Sequence, residues 1–210
     1  AGNADATVTA PTIDDLLAPV ISEKTAVTTP TKTQKPTYVL TSSEAGDITL
    51  TGAGCYTSTA SVTAGDTSIT LTGEGGTNLD TGSYSCTIQI QDAAGNDSTV
   101  LSMTPFEIDI TGPTLNTVTW TDEDSSTSIS EGDTVIFTFN EAIDQSTITT
   151  ANADENLGGT DGDFGTAGAA SISWNEASTV LTVTLGAGAT IADGDAFQPL
   201  DAVTDLAGNA

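Results

Sequence analysis

Residues 92–113, DAAGNDSTVLSMTPFEIDITGP, decide how this chain reads. The turn Asp92-Ala93-Ala94-Gly95-Asn96 leads into one long extended run, and an acidic hinge closes it at Asp109, Gly112 and Pro113. Fragments of the same phrase stand at both ends of the chain. It opens on AGNADATVTAPTIDDLLAP, where Asp15 and Pro19 are spaced as Asp109 and Pro113 are. It closes on Val203-Thr204-Asp205-Leu206-Ala207-Gly208-Asn209-Ala210. Such self-similarity marks like units set end to end. The expected organisation is a final strand of a preceding unit over 1–15, a first domain over 16–109 and a second over 110–210.

At 210 residues, two domains of roughly 100 residues each suit the length. Thr, Ser, Gly, Ala and Val dominate, and no window sustains helical periodicity, so the fold class is all-β. The formal net charge is −26, with no His. The only cations, Lys24, Lys32 and Lys35, sit in one short stretch. So acidic a chain repels nucleic acid and anionic membrane, which excludes both as partners. No apolar run approaches the length of a membrane-spanning helix, so membrane insertion is not expected. The even pair Cys55 and Cys86 reads as a disulfide in an oxidising, extracellular or cell-surface setting, with two buried thiols as the other reading.

Short extended runs punctuated by Gly, Asp and Asn turns fill both domains. In the first they are Pro19–Ser22, Thr37–Thr41, Asp47–Thr51, Ala60–Thr63, Ser68–Thr72, Tyr84–Gln91 and Thr99–Ile108. In the second they are Leu115–Thr121, Thr134–Asn140, Ile148–Thr150, Ala170–Trp174, Val180–Leu185 and Phe197–Thr204. Trp120, Phe137, Phe139, Trp174, Leu181 and Val183 are its candidate core or near-core residues. About seven short strands at such spacing predict an antiparallel sandwich. In sandwich order, Cys55 ends the third strand of its domain and Cys86 begins the sixth, neighbours in one sheet, so a bridge is allowed. The second domain lacks a counterpart of Thr99–Ile108 and hence its own final strand.

Both domains resemble bacterial immunoglobulin-like (Big-type) tandem repeats of extracellular adhesins and surface fibres. The residues that carry the resemblance in the first are Thr41–Gly46, Gly82-Ser83-Tyr84, Asp92–Asn96 and Asp109–Pro113. In the second they are Phe137–Asp144, Val180–Leu185 and Val203–Asn209. The resemblance implies two tandem immunoglobulin-like sandwiches acting as spacer modules, many of which bind calcium at their junctions.

Strand order tests calcium separately, because the loops after the second and sixth strands return to the end where each domain begins. There the first domain gathers Asp14, Asp15, Glu44, Asp47, Asp92 and Asn96. The second gathers Asp109, Glu141, Asp144, Asp205 and Asn209. These are hard oxygen donors from three segments, of the kind calcium takes six to eight of. The competing reading is that Asp92 and Asn96 only build an Asx turn. Asp122-Glu123-Asp124, Glu131, Asp133 and Asp193-Gly194-Asp195 read as a solvated acidic rim, with a second ion site as the other reading. Thr-x-Thr runs such as Thr70/Thr72 are the exposed faces of strands rather than an ice-binding surface.

The expected function is a structural repeat unit of a fibre or adhesin stalk, not an enzyme, since no Cys–His or Ser–His pair exists without His. Copies join head to tail, either covalently in a longer array or by donating residues 4–15 into the second domain of the next chain. The alternative is a carbohydrate- or surface-binding module using the acidic loop Ala151–Gly168, with Phe164 and Trp174 as its aromatic candidates.

Overall fold

The computed structural model describes residues 15–157, 163–166 and 168–210. Asp14 and the donor segment up to that residue lie outside the described residues, as does part of the Ala151–Gly168 loop. The fold is nearly all-β, built of antiparallel sheets, as the Thr-rich sequence requires. Two compact units form. One comprises the chain up to Val27, Lys35–Leu79 and Tyr84–Phe106. The other comprises Thr28–Gln34, Asp80–Ser83 and Glu107–Ala210.

The first unit and its margins hold β1 (Ile21–Thr25), β2 (Thr37–Ser42), β3 (Gly46–Thr51), β4 (Tyr56–Thr57), β5 (Ser61–Val62), β6 (Gly65–Thr72), β7 (Gly82–Tyr84), β8 (Thr87–Gln91), β9 (Leu101–Ser102) and β10 (Phe106–Ile108). One sheet runs β1-β2-β6-β4 and another β5-β3-β8-β9, while β7 pairs with β10. Alternation decides the faces: β2 buries Tyr38 and Leu40, β6 buries Ile69 and Leu71, and β8 buries Ile88 and Ile90. Each fully buried aliphatic side chain of this kind contributes about 1.5–3 kcal/mol. The expected runs Tyr84–Gln91 and Thr99–Ile108 are each broken in two. Pro105, which has no N–H to give a ladder, stands in the second gap.

Cys55 and Cys86 are bonded, with Cα atoms 5.8 Å apart. Cys55 follows β3 and Cys86 precedes β8, and these strands are ladder partners through Thr51 and Thr87. Both half-cystines are buried.

The second unit has β11 (Leu115–Thr121), β12 (Thr134–Phe139), α1 (Ala153–Leu157), β13 (Ser171–Trp174) and β14 (Val180–Thr184). Its sheet order, β11-β12-β14-β13, repeats that of β1-β2-β6-β4. Val135, Phe137 and Phe139 on β12 and Leu181 and Val183 on β14 face a core shared with Ile143, Ile148, Leu157, Phe164 and Val203. Phe137 meets Phe164 and Phe197 edge to face at 5.8 and 5.3 Å, a favoured aromatic geometry. Trp174 is partly buried against Phe139. Trp120, expected in or near the core, is 39% exposed on the edge strand β11.

The second layer of this unit departs from the expectation, since Ile148–Thr150 and Phe197–Thr204 are not strands. Asn152 Oδ1 accepts from the Thr149 N–H at 2.6 Å and turns the chain into α1. The end of α1 then takes the N–H groups of the later segment, Gln198 donating to Leu157 at 3.1 Å and Leu200 to Asn156 at 2.9 Å. Pro199 has no N–H to offer. That segment spends its backbone donors on a helix rather than a ladder.

Candidate metal centres

Each unit builds the same acidic clamp from three separated pieces of chain. The first piece is an Asx turn. Asp15 Oδ1 accepts from the Leu17 N–H at 3.0 Å, and Asp109 Oδ1 from the Thr111 N–H at 3.1 Å. A buried proline follows in both cases, Pro19 and Pro113.

The second piece carries the glutamate. Ser43 donates its N–H to the Val20 carbonyl at 2.9 Å, and its Oγ accepts from the Val20 N–H. Asn140 does the same with Thr114, giving its N–H at 3.0 Å and receiving the Thr114 N–H on Oδ1. These paired bonds lash the hinge to the residue just before Glu44 and Glu141 respectively.

The third piece is the Asp-x-x-Gly-Asn turn. Asp92 Oδ1 accepts from the Asn96 N–H and Oδ2 from Asn96 Nδ2, both at 2.8 Å. Asp205 takes the same two donors from Asn209 at 2.9 and 2.8 Å. Gly95 and Gly208 have φ of 89° and 84°, the left-handed region where a side chain would be strained. The free Nδ2 proton of each Asn bonds back to the first piece, Asn96 to the Asp15 carbonyl and Asn209 to the Asp109 carbonyl, both at 3.0 Å. A ladder pair, Asp47 with Gln91 in one unit and Ile143 with Asp205 in the other, brings the turn beside its glutamate.

The outcome is two carboxylate triads, Asp15–Glu44–Asp92 and Asp109–Glu141–Asp205, each with oxygens within 4.8 Å of one another. In both triads the Asp of the turn is buried and the Glu half-buried. Burial, then the charges of Asp15 and Asp92, push the Glu44 carboxyl above the ordinary glutamate value. Burial also pushes Glu141 up, against a bond from Asn140, and Asp109 and Asp205 add to the rise. Asp92 is lowered, first by the Asn96 side chain. The donor set is oxygen alone, which suits a hard cation.

Of the remaining expected ligands, Asp144 stands outside the triads. Its carboxylate caps the short 3-10 turn Gln145–Thr147, accepting from Ser146 N and Oγ at 3.0 and 2.7 Å, which also lowers it. Asp47 is exposed on β3 and joins no triad. Asn96 and Asn209 serve as braces between pieces. The sequence reading overlooked Ser43 and Asn140, although the repeated Glu-Ala after each was visible.

A third triad, Asp122–Asp124–Asp133, lies on the connection between β11 and β12. Its carboxylates, like those of the clamps, take bonds from the protein's own N–H groups. Asp122 accepts from Ser126 and Thr127 N–H groups, and buried Asp133 from Glu123 and Ser130 N–H groups at 2.8 and 2.7 Å. Ser126 holds the Asp124 carboxyl low. Phe164, offered as an aromatic of the Ala151–Gly168 loop, is buried and stacks on Phe197 at 6.1 Å. Among the described residues no helix is long and apolar enough to cross a membrane. No family model matches the sequence, and no curated protein or solved structure matches it.

Proposed function

We propose that the chain is a non-catalytic, structural repeat unit of an extracellular fibre or adhesin stalk. Copies follow one another head to tail, covalently or by strand donation through residues 4–15. Calcium held by Asp15, Glu44 and Asp92 and by Asp109, Glu141 and Asp205 stiffens the hinge segments that open each unit.

The observation that carries this reading is the repetition of one clamp, with the same Asp–Asn bonds and the same brace to the hinge, in both units. A catalytic site is needed once, whereas a joint recurs with every repeat. The triads gather like charges that a divalent cation would bridge. The Cys55–Cys86 bond suits an oxidising compartment, and the strongly acidic surface suits a solvated exterior.

Calorimetric titration of the chelator-treated chain with calcium tests the proposal. It should report two ions per chain, falling to one in Asp92→Asn and one in Asp205→Asn. Heats no larger than dilution would remove calcium from the account.

A further inference from the structure

Only three lysines stand against 29 acidic side chains in this protein, and the fold brings one of them to the second clamp. Thr31 bridges Ile108 in parallel, giving its N–H to the Glu107 carbonyl and accepting the Asp109 N–H, both at 3.0 Å. Glu107 in turn gives its N–H to Thr29 Oγ at 2.9 Å. The segment Thr28–Gln34 is thereby strapped along the strand that leads into the Asp109 hinge, and it belongs to the second unit. Lys32 follows Thr31 directly, and its Nζ donates to the Gly208 carbonyl in the Asp-x-x-Gly-Asn turn of the same clamp.

The Gly208 carbonyl and the Asn209 N–H are the two ends of one peptide group. That N–H donates to Asp205 Oδ1 at 2.9 Å. Lys32 therefore acts on the buried carboxylate through a single peptide, which its ammonium polarises towards Asp205. Followed along these bonds, the positive charge stands within about 8 Å of Oδ1, less than a Debye length at about 0.1 M salt. The first clamp differs. Among the described residues no lysine meets the corresponding carbonyl of Gly95, and Lys24 pairs instead with Asp66 at 3.8 Å. The two clamps share their bonds but not their charge.

We propose that Lys32 holds the calcium affinity of the second centre below that of the first. The proposal rests on the reading of both clamps as calcium centres and assigns the residue that sets them apart. Without the ion, the ammonium offsets the mutual repulsion of Asp109, Glu141 and Asp205. Once a dication enters, the same ammonium repels it. Lys32 thus steadies the empty clamp and makes it harder to fill. Calcium should occupy the Asp15–Glu44–Asp92 centre first and the Asp109–Glu141–Asp205 centre at higher concentration.

The test compares Lys32→Met and Lys32→Arg in full chains that keep a single centre, Asp92→Asn leaving the second and Asp205→Asn the first. Calorimetric titration with calcium chloride at low salt should find the second centre the weaker. Lys32→Met should tighten it about threefold to tenfold, while Lys32→Arg, which keeps the charge, stays within about twofold of the parent. The first centre should not respond to Lys32→Met, and the gain at the second should shrink as salt is raised. In chelator, tryptophan-detected melting of the second unit should fall by about 2–4 °C in Lys32→Met, a shift that a lysine without electrostatic contact to the triad would not produce. A second centre as tight as the first, an affinity unchanged by Lys32→Met, or a gain reproduced by Lys32→Arg would overturn the proposal and leave calcium in place. Absence of binding at both centres would overturn the proposed function along with it.

Discussion

Asp205→Asn preserves the shape of a side chain at the centre of the second clamp and deletes its charge. The parent carboxylate is 3% exposed and takes two bonds from Asn209. At the 4.8 Å limit of the triad, each pair of like charges costs about 0.9 kcal/mol in a water-like dielectric and about 3.5 kcal/mol at an effective dielectric of 20. Asp205 belongs to two of the three pairs, so without calcium the variant sheds a few kcal/mol of repulsion. Its amide has a single acceptor oxygen, so of the two charge-assisted bonds from Asn209, worth about 1.5–3 kcal/mol each, one is lost and the other becomes a neutral bond worth about 0.5–1.5 kcal/mol. The two changes oppose, and the midpoint in chelator should move little. Calcium separates the proteins. At a hundred times its dissociation constant the ion stabilises the parent by about 2.7 kcal/mol, and a hundredfold loss of affinity leaves about 0.4 kcal/mol. For a unit of this size the difference corresponds to roughly 10–18 °C in melting temperature. Both tryptophans, Trp120 and Trp174, lie in the second unit, so fluorescence-detected melting follows that unit selectively. A variant that keeps the parent's full calcium shift would refute the assignment of Asp205 as a ligand.

Three further outcomes are expected. Glu141 is raised above its ordinary value of 4.5, so the folded state holds more protons than the unfolded one; stability in chelator should fall as pH rises from 4.5 through the folded value. Urea midpoints across that range should flatten in Glu141→Gln, and an unchanged slope would place the effect elsewhere. Reducing the Cys55–Cys86 bond, which closes a separation of 31 residues, should cost the first unit about 3.7 kcal/mol by loop entropy while the tryptophan-detected transition stays put. Phe164→Ala should cost about 3–5 kcal/mol in urea unfolding, as befits a core residue, and a loss under 1 kcal/mol would return it to the surface.

What the sequence made legible was whatever depends on short range. The alternation in TYVLT and TVIFTF identified β2 and β12, and in β12 the inward Phe137 and Phe139, because strand periodicity is local. The Asp-x-x-Gly-Asn phrase marked both turns, since its Gly must adopt positive φ and its Asp and Asn must bond each other. The recurrence also paired Asp15 with Asp109, and strand order brought Glu44 and Glu141 to the same ends. Tertiary competition was harder to read. Nothing local says that Gln198 and Leu200 will donate to the end of α1 instead of a neighbouring strand. Likewise Asp144 has the right residue type and place, but its carboxylate caps a 3-10 turn outside the triad. Trp120 was read as core or near-core, whereas its position on an edge strand leaves it 39% exposed.

The most direct test of calcium-stiffened repeats is small-angle X-ray scattering of the 210-residue chain in calcium and in chelator, at concentrations where it is monomeric. The account predicts a larger maximum dimension and a narrower distribution of shapes in calcium, with Asp205→Asn scattering alike in both. Superimposable profiles for the parent chain in the two buffers would contradict it.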